Sequence, residues 1–132
     1  MQTIKTVWVN GCFDVLHRGH IELLKFAKSQ GTFLIVGIDT DDRIKEMKGP
    51  LRPFNNQEDR LFFLESIVYV DHVEFFDSDK ELEKKLLYFN PDVMVVGSDY
   101  KNRKVIGSQH AKKLLFFDRI QGYSTTKILE NK

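Results

Sequence analysis

Short apolar runs alternate with amphipathic stretches along this chain. "TVWV" (6–9) reads as a strand, ended by the turn signal Asn10-Gly11. From about Arg18 to Gln30, Ile21 and Leu24 fall opposite Lys25 and Lys28, which predicts an amphipathic helix with Gly31 as its C′ residue. "FLIVGI" (33–38) is continuously apolar, as a strand covered on both faces must be. "TDDRIKEM" predicts a short helix, and "KGPLRPFNN" (48–56), with two prolines and a glycine, a loop. Asn55 or Asn56 can cap a helix running to about Ser66, with Glu58 in its first turn to suit the dipole. "HVEFF" (72–76) is a strand, and Ser78 or Asp79 caps the helix "KELEKKLLYF", which Asn90-Pro91 ends. "VMVVG" (93–97) and "LLFF" (114–117) are further strands, and Ser124 caps a C-terminal helix, "TTKILENK".

Strands and helices that alternate, with apolar strands, imply a parallel sheet with right-handed crossovers. The expectation is one doubly wound α/β domain of three αβα layers over residues 1–132, with no repeat, linker or low-complexity tract. Such sheets bind ligands beyond the carboxyl ends of their strands. "NGCFD", "GIDTDD", "GSDYKNR" and "DRIQGYSTT" all follow strands, so the polar residues gather at one edge of the sheet.

Composition narrows the partners. Twenty Lys and Arg against 19 Asp and Glu leave a net charge of +1, which gives no electrostatic reason to propose long nucleic acid or a membrane surface. Locally gathered cations can still bind phosphate. The single cysteine, Cys12, excludes an intrachain disulfide and fits a reducing compartment. "MQTIKTVWVNG" lacks the apolar core of a signal peptide and no apolar run approaches membrane-spanning length, so the cytoplasm is the expected location.

The chemistry concentrates in "NGCFDVLHRGH" (10–20). Cys12, His17 and His20 have no fourth zinc ligand at suitable spacing, so no metal site is assigned. A histidine at a helix start also commonly serves only to satisfy the backbone. The third reading takes position into account. His17 and His20, three residues apart, share a face of the first helical turn, where unpaired N–H groups and the positive dipole end lie. Gly19 between them would let a phosphate approach the backbone. Neither G-x-x-x-x-G-K-[ST] nor G-x-G-x-x-G occurs, which disfavours the P-loop and dinucleotide readings. A second phosphate-type helix start is "RIQGYSTTK" (119–127): Gly122 permits a tight turn, Ser124, Thr125 and Thr126 offer hydroxyls, and Arg119 a bidentate donor. Standing alone, that segment is equally well a plain N-cap on a surface helix.

Together these segments carry a resemblance. "GCFDVLHRGH" resembles the signature of the HxGH nucleotidylyltransferases, and "GYSTTKI" is similar to their C-terminal I-S-T-T segment. "NGCFD", "KGPLRPFNNQEDR", "GSDY" followed by "VIGS", and "GYSTT" look most like the adenylyltransferase half of the bifunctional heptose-phosphate kinase/adenylyltransferases. Glycerol-3-phosphate cytidylyltransferases are the next most similar, although they typically begin G-T-F-D and have R-T-E-G where this chain has Arg119-Ile120-Gln121-Gly122. Two departures bear on the acceptor rather than the chemistry: Gly97-Ser98-Asp99-Tyr100 replaces the usual G-G-D-Y, and no kinase segment accompanies the domain.

The resemblance implies a Rossmann-like nucleotidylyltransferase fold in a homodimer. It also implies transfer of a nucleoside monophosphate from an NTP, ATP before CTP, to a phosphorylated small molecule, with Mg²⁺ carried mainly by the nucleotide. By the same resemblance His17, His20, Lys45 and Arg119 are catalytic. Asn10, Gly11, Cys12, Phe13 and Gly19 would bind nucleotide, as would Gly97, Asp99, Gly122, Tyr123, Ser124 and Thr125. Asp14, Asp39, Lys48 and Arg60 are assigned to the acceptor, Asp14 also orienting the histidine loop, and the stretch "KEMKGPLRP" is a candidate lid. Taken without the resemblance, Lys45, Lys48 and Arg60 are solvated helix faces. A non-catalytic nucleotide-binding domain and an RNA-binding module are the alternatives, the latter disfavoured by the lack of a basic stripe.

Overall fold

The structure is a computed structural model and describes residues 3–98 and 103–118. Five parallel strands form one sheet in the order β3-β2-β1-β4-β5. They are β1 (Thr6–Gly11), β2 (Phe33–Asp39), β3 (His72–Phe76), β4 (Val93–Gly97) and β5 (Lys113–Phe117). Between them run α1 (Arg18–Ser29), α2 (Asp41–Lys48), α3 (Gln57–Glu65) and α4 (Asp79–Phe89). The winding reverses at β1: β2 lies on one side and β4 on the other, which opens a crevice beyond the strand ends.

The sheet separates two apolar cores. Leu24 and Ala27 of α1 and Leu64 of α3 pack with Val7, Val9, Leu34 and Val36 on one face. On the other, Leu82 and Leu86 of α4 meet Trp8, Ile35, Phe76 and Met94. This alternation along β1 and β2 explains the unbroken apolar runs, because each face has its own cover. The Trp8 ring reaches along the sheet over Gly37 of β2, which pairs with Asn10: a Cβ there would lie 2.5 Å from Trp8 Cζ2.

The caps agree with the side chains that terminate each helix. Thr40, Asn56 and Ser78 accept the backbone N–H groups of Arg43, Asp59 and Glu81. Asn90 ends α4 in the left-handed region, at φ 44°. Gly31 follows α1, but its φ is not positive; a Cβ there would meet the Lys5 carbonyl at 2.5 Å, so close packing is what demands the glycine.

Three local readings change. Asn10-Gly11 is not a turn: β1 continues through both residues, paired to Gly37 and Ile38, and Asn10 Oδ1 accepts the Trp8 indole N–H at 3.0 Å. α2 extends to Lys48, which shortens the predicted loop. A 3-10 turn at Ser108–His110 precedes β5. The expected C-terminal helix lies outside the described residues.

Candidate active site

At the end of β1 the chain enters α1 through the histidine segment. His17 is the N-cap of α1, and its Nδ1 accepts the Gly19 N–H at 3.0 Å. His20 Nδ1 accepts the His17 N–H at 3.2 Å, making the cap reciprocal. The two rings stack with centroids 3.9 Å apart. An imidazole whose Nδ1 accepts a backbone N–H carries its proton on Nε2, so both rings are set as Nε2–H donors. The Gly19 N–H, expected to be open to phosphate, is taken up by this cap, and Gly19 itself is buried.

Phe13 is not at the surface of the site. It is buried, its φ is 50°, and its ring lies 5.3 Å from the His20 ring and against Gly11. A side chain with Cβ held in the left-handed region costs about 1–2 kcal/mol, which the packing of this ring offsets. Its ring supports His20 from within the core.

Asp14 and Arg60 are also placed inside. The Asp14 carboxylate accepts Asn55 N at 2.8 Å, Phe54 N at 2.9 Å and Arg52 Nε at 3.1 Å, while its carbonyl accepts Asn55 Nδ2 at 2.7 Å. These bonds staple residues 52–55 to the histidine segment, so the candidate lid shrinks to its tip, where Gly49 has open space around it and Leu51 is 91% exposed. Arg60 is fully buried. Its guanidinium donates to the carbonyls of Asn55, Cys12 and Asp39 and to the Asp41 carboxylate, at 2.8–3.0 Å. Neither a solvated helix face nor a direct acceptor contact describes it; Arg60 ties the ends of β1 and β2 to α2 and α3. Arg52 Nη2 is enclosed without a hydrogen-bond partner among the described residues.

A cleft of about 380 Å³ opens beyond the ends of β1 and β4. Asn10, Gly11, Cys12 and Gly97 line it at the strand ends, with Asp39, Arg43 and Lys48 on one flank and Lys104, Val105 and Ile106 on another. Its floor is apolar: Phe76, Leu82, Met94 and Val96. Arg43 Nε bonds Asp39 Oδ1 at 2.7 Å, Nη2 reaches Asp79, and the guanidinium lies over the Phe76 ring. Burial works against the Arg43 charge, but the bonds to Asp79 and Asp39 outweigh it and raise its pKa. Cys12 Sγ donates to Asp39 Oδ2 at 3.4 Å. Burial, then the Asp39 charge, push the Cys12 thiol up to about 11, against the opposing pull of Lys48.

Of the residues singled out in the sequence, the cleft therefore gathers Asn10, Gly11, Cys12, Asp39, Lys48 and Gly97. His17 and His20 stand at the start of α1, and Lys45 is exposed on α2 and off the cleft lining. Asp99, Arg119, Gly122, Tyr123, Ser124 and Thr125 lie outside the described residues. Sequence reading passed over Arg43 and Lys104. For Arg43 a signal exists, its i,i+4 spacing from Asp39 on the first turn after β2. For Lys104 there is none, since it sits in an irregular segment.

The cytidylyltransferase-like family matches residues 8–131. The bifunctional protein HldE of Helicobacter pylori strain P12 is 44% identical over 96% of the chain, and that of Campylobacter concisus 42% over 96%. The chain spans about a quarter of those relatives' length, 27% and 26%. Among solved structures, a lipopolysaccharide core biosynthesis protein from Thermoplasma volcanium superposes with a TM-score of 0.74 at 22% identity, covering 90% of this chain and all of that one. Pantothenate synthetase from Thermus thermophilus superposes at 0.60 and 14% identity, over 88% of this chain and 56% of the other. These two share the fold. With the family match running nearly from end to end, the chain belongs to the cytidylyltransferase-like family.

Proposed function

We propose that this domain is a nucleotidylyltransferase that moves AMP from ATP to a sugar 1-phosphate, a heptose 1-phosphate first among them, and releases pyrophosphate. The observation that carries the reading is the stacked His17–His20 pair at the start of α1, both rings set as Nε2 donors, on the segment that leaves β1 where Gly11 and Cys12 line a cationic cleft. The nucleotide and acceptor follow from likeness to HldE, a heptose-7-phosphate kinase/adenylyltransferase.

An acceptor phosphate oxygen attacks the α-phosphorus in line; the new P–O bond forms as the bond to the bridging α,β-oxygen breaks, and pyrophosphate leaves. The attacking oxygen is already anionic, so no general base is required. His17 and His20 donate to the α-phosphate and bridging oxygens, where charge grows. Arg43 and Lys48 draw the acceptor's phosphate into the cleft. Asp14 and Arg60 hold the loops that carry these groups. Mg²⁺ arrives on the triphosphate as part of the substrate. Arg119, Ser124 and Thr125 hold the outer phosphates in this reading, and two copies pair as a homodimer.

The test is pyrophosphate release with ATP and CTP crossed against heptose 1-phosphate, other sugar 1-phosphates and glycerol 3-phosphate. ATP with a sugar 1-phosphate should give the highest kcat/KM. A tenfold preference for CTP, about 1.4 kcal/mol of transition-state discrimination, would move the protein to the cytidylyltransferases that use glycerol 3-phosphate. Nucleotide binding with no pyrophosphate from any pair would mark a non-catalytic domain.

A further inference from the structure

We propose that Lys104 is an acceptor-binding residue: it supplies positive charge on the β4 side of the cleft and binds the phosphate of the acceptor. The inference rests on the nucleotidyl-transfer reading above. Three cationic side chains line the cleft against one carboxylate, but they are not equivalent. Arg43 is held by Asp39 and Asp79, and Lys48 has no carboxylate partner among the described residues. Lys104 makes no ion pair among the described residues, and it is exposed at the rim.

Two features distinguish it from an ordinary surface lysine. The first is that its backbone belongs to a fixed wall. Val105 and Ile106, the next residues, pack into the core under the cleft, together with Val96 and Leu114. Gly107 then turns the chain at φ 80°, so close to α4 that a Cβ would stand 2.2 Å from Leu86 Cδ1. No other residue type gives both that turn and that approach. The second is its place in the topology. Lys48 follows β2 and Lys104 follows β4, so the two ammonium groups come from opposite sides of the crevice that flanks β1. A phosphate monoester carries nearly two negative charges at neutral pH, and a cation on either side of the entrance suits it better than one alone.

The experiment compares wild type, Lys104→Ala and Lys104→Arg in steady-state pyrophosphate release with ATP and heptose 1-phosphate. A parallel titration follows inorganic phosphate binding to each protein by ³¹P NMR. The expected result for Lys104→Ala is a KM for the acceptor raised about tenfold, an unchanged KM for ATP, a shallower salt dependence of acceptor kcat/KM, and weakened phosphate binding. Lys104→Arg should recover most of the loss. An active wild type whose acceptor KM is unmoved by Lys104→Ala, or a rise in the KM for ATP instead, overturns the assignment. If wild type turns over no acceptor, the functional reading fails, and the phosphate titration still decides whether Lys104 binds the anion.

Discussion

Replacing Arg60 by Met is the sharpest probe of how this site is held. Methionine keeps much of the side-chain volume, so the change removes donors without opening a large cavity. Four hydrogen bonds are lost, to three backbone carbonyls and to the Asp41 carboxylate, from a guanidinium with no solvent exposure. Breaking one partner out of a buried ion pair typically costs 3–5 kcal/mol. Asp41 keeps some access to water, with a side chain 24% exposed, which favours the lower half of that range. The orphaned carbonyls of Cys12, Asp39 and Asn55 add to it. About 4 kcal/mol is therefore expected, a large share of the roughly 5–15 kcal/mol that stabilises a domain. For a chain of this size it corresponds to a fall in Tm of about 15 °C. Arg60→Lys retains the charge but cannot span four acceptors with one ammonium, and should lose about 2–3 kcal/mol. Urea titration followed by circular dichroism, with m compared across variants, measures both. A loss below about 1 kcal/mol for the Met variant, at unchanged m, would refute the view that this guanidinium fastens the strand ends together.

Asparagine caps helices well, so His17→Asn should fold with near-normal stability while lowering kcat by about 10²–10³; equal turnover with wild type would remove His17 from the chemistry. His17→Ala should lose both, giving up about 1 kcal/mol of stability in the same urea titration. Gly37→Ala forces a methyl into the Trp8 ring and should destabilise by about 1–3 kcal/mol, with a shift in Trp8 fluorescence; an unperturbed Tm would show that the strand yields freely. Burial and Asp39 push the Cys12 thiol up to about 11, so at pH 8 iodoacetamide should label it at least about tenfold slower than a free thiol, the rate climbing only as pH approaches that value. Rapid labelling at pH 8 would contradict the thiol's placement beside Asp39.

The central strands were legible because each face of the sheet has its own core, so they run nearly unbroken in apolar residues; edge strand β3, with His72 and Glu74, was legible from its β-branched and aromatic residues. β3 and β4 match the expected runs residue for residue. Asn10-Gly11 misled for a physical reason: the pair is a turn signal in isolation, whereas here Asn10 satisfies the Trp8 indole and β2 pairs with both residues. Buried charge was the harder problem. Nothing in "NNQEDR" distinguishes an arginine that faces water from one enclosed by three carbonyls, since those acceptors come from Cys12 and Asp39, distant in sequence. Asp14 is similar, its partners lying about forty residues away. The histidine pair was found because its geometry is local, three residues along one helix start.

The division of the interior by the sheet has a consequence for how such a protein diversifies. Phe13, which supports His20, belongs to the core shared with α1 and α3. Phe76, Leu82, Met94, Val105 and Ile106, most of the apolar lining of the cleft, belong to the opposite core with α4, while Val9 and Leu23 of the lining belong to the α1 side. Repacking one of these interiors leaves the other largely untouched, because the strand backbones stand between them. A lineage could resize the cleft by exchanging residues on the α4 side, while the histidine segment on the α1 side keeps its shape. Substrate range and chemical step would then be inherited as separable traits within a single small domain.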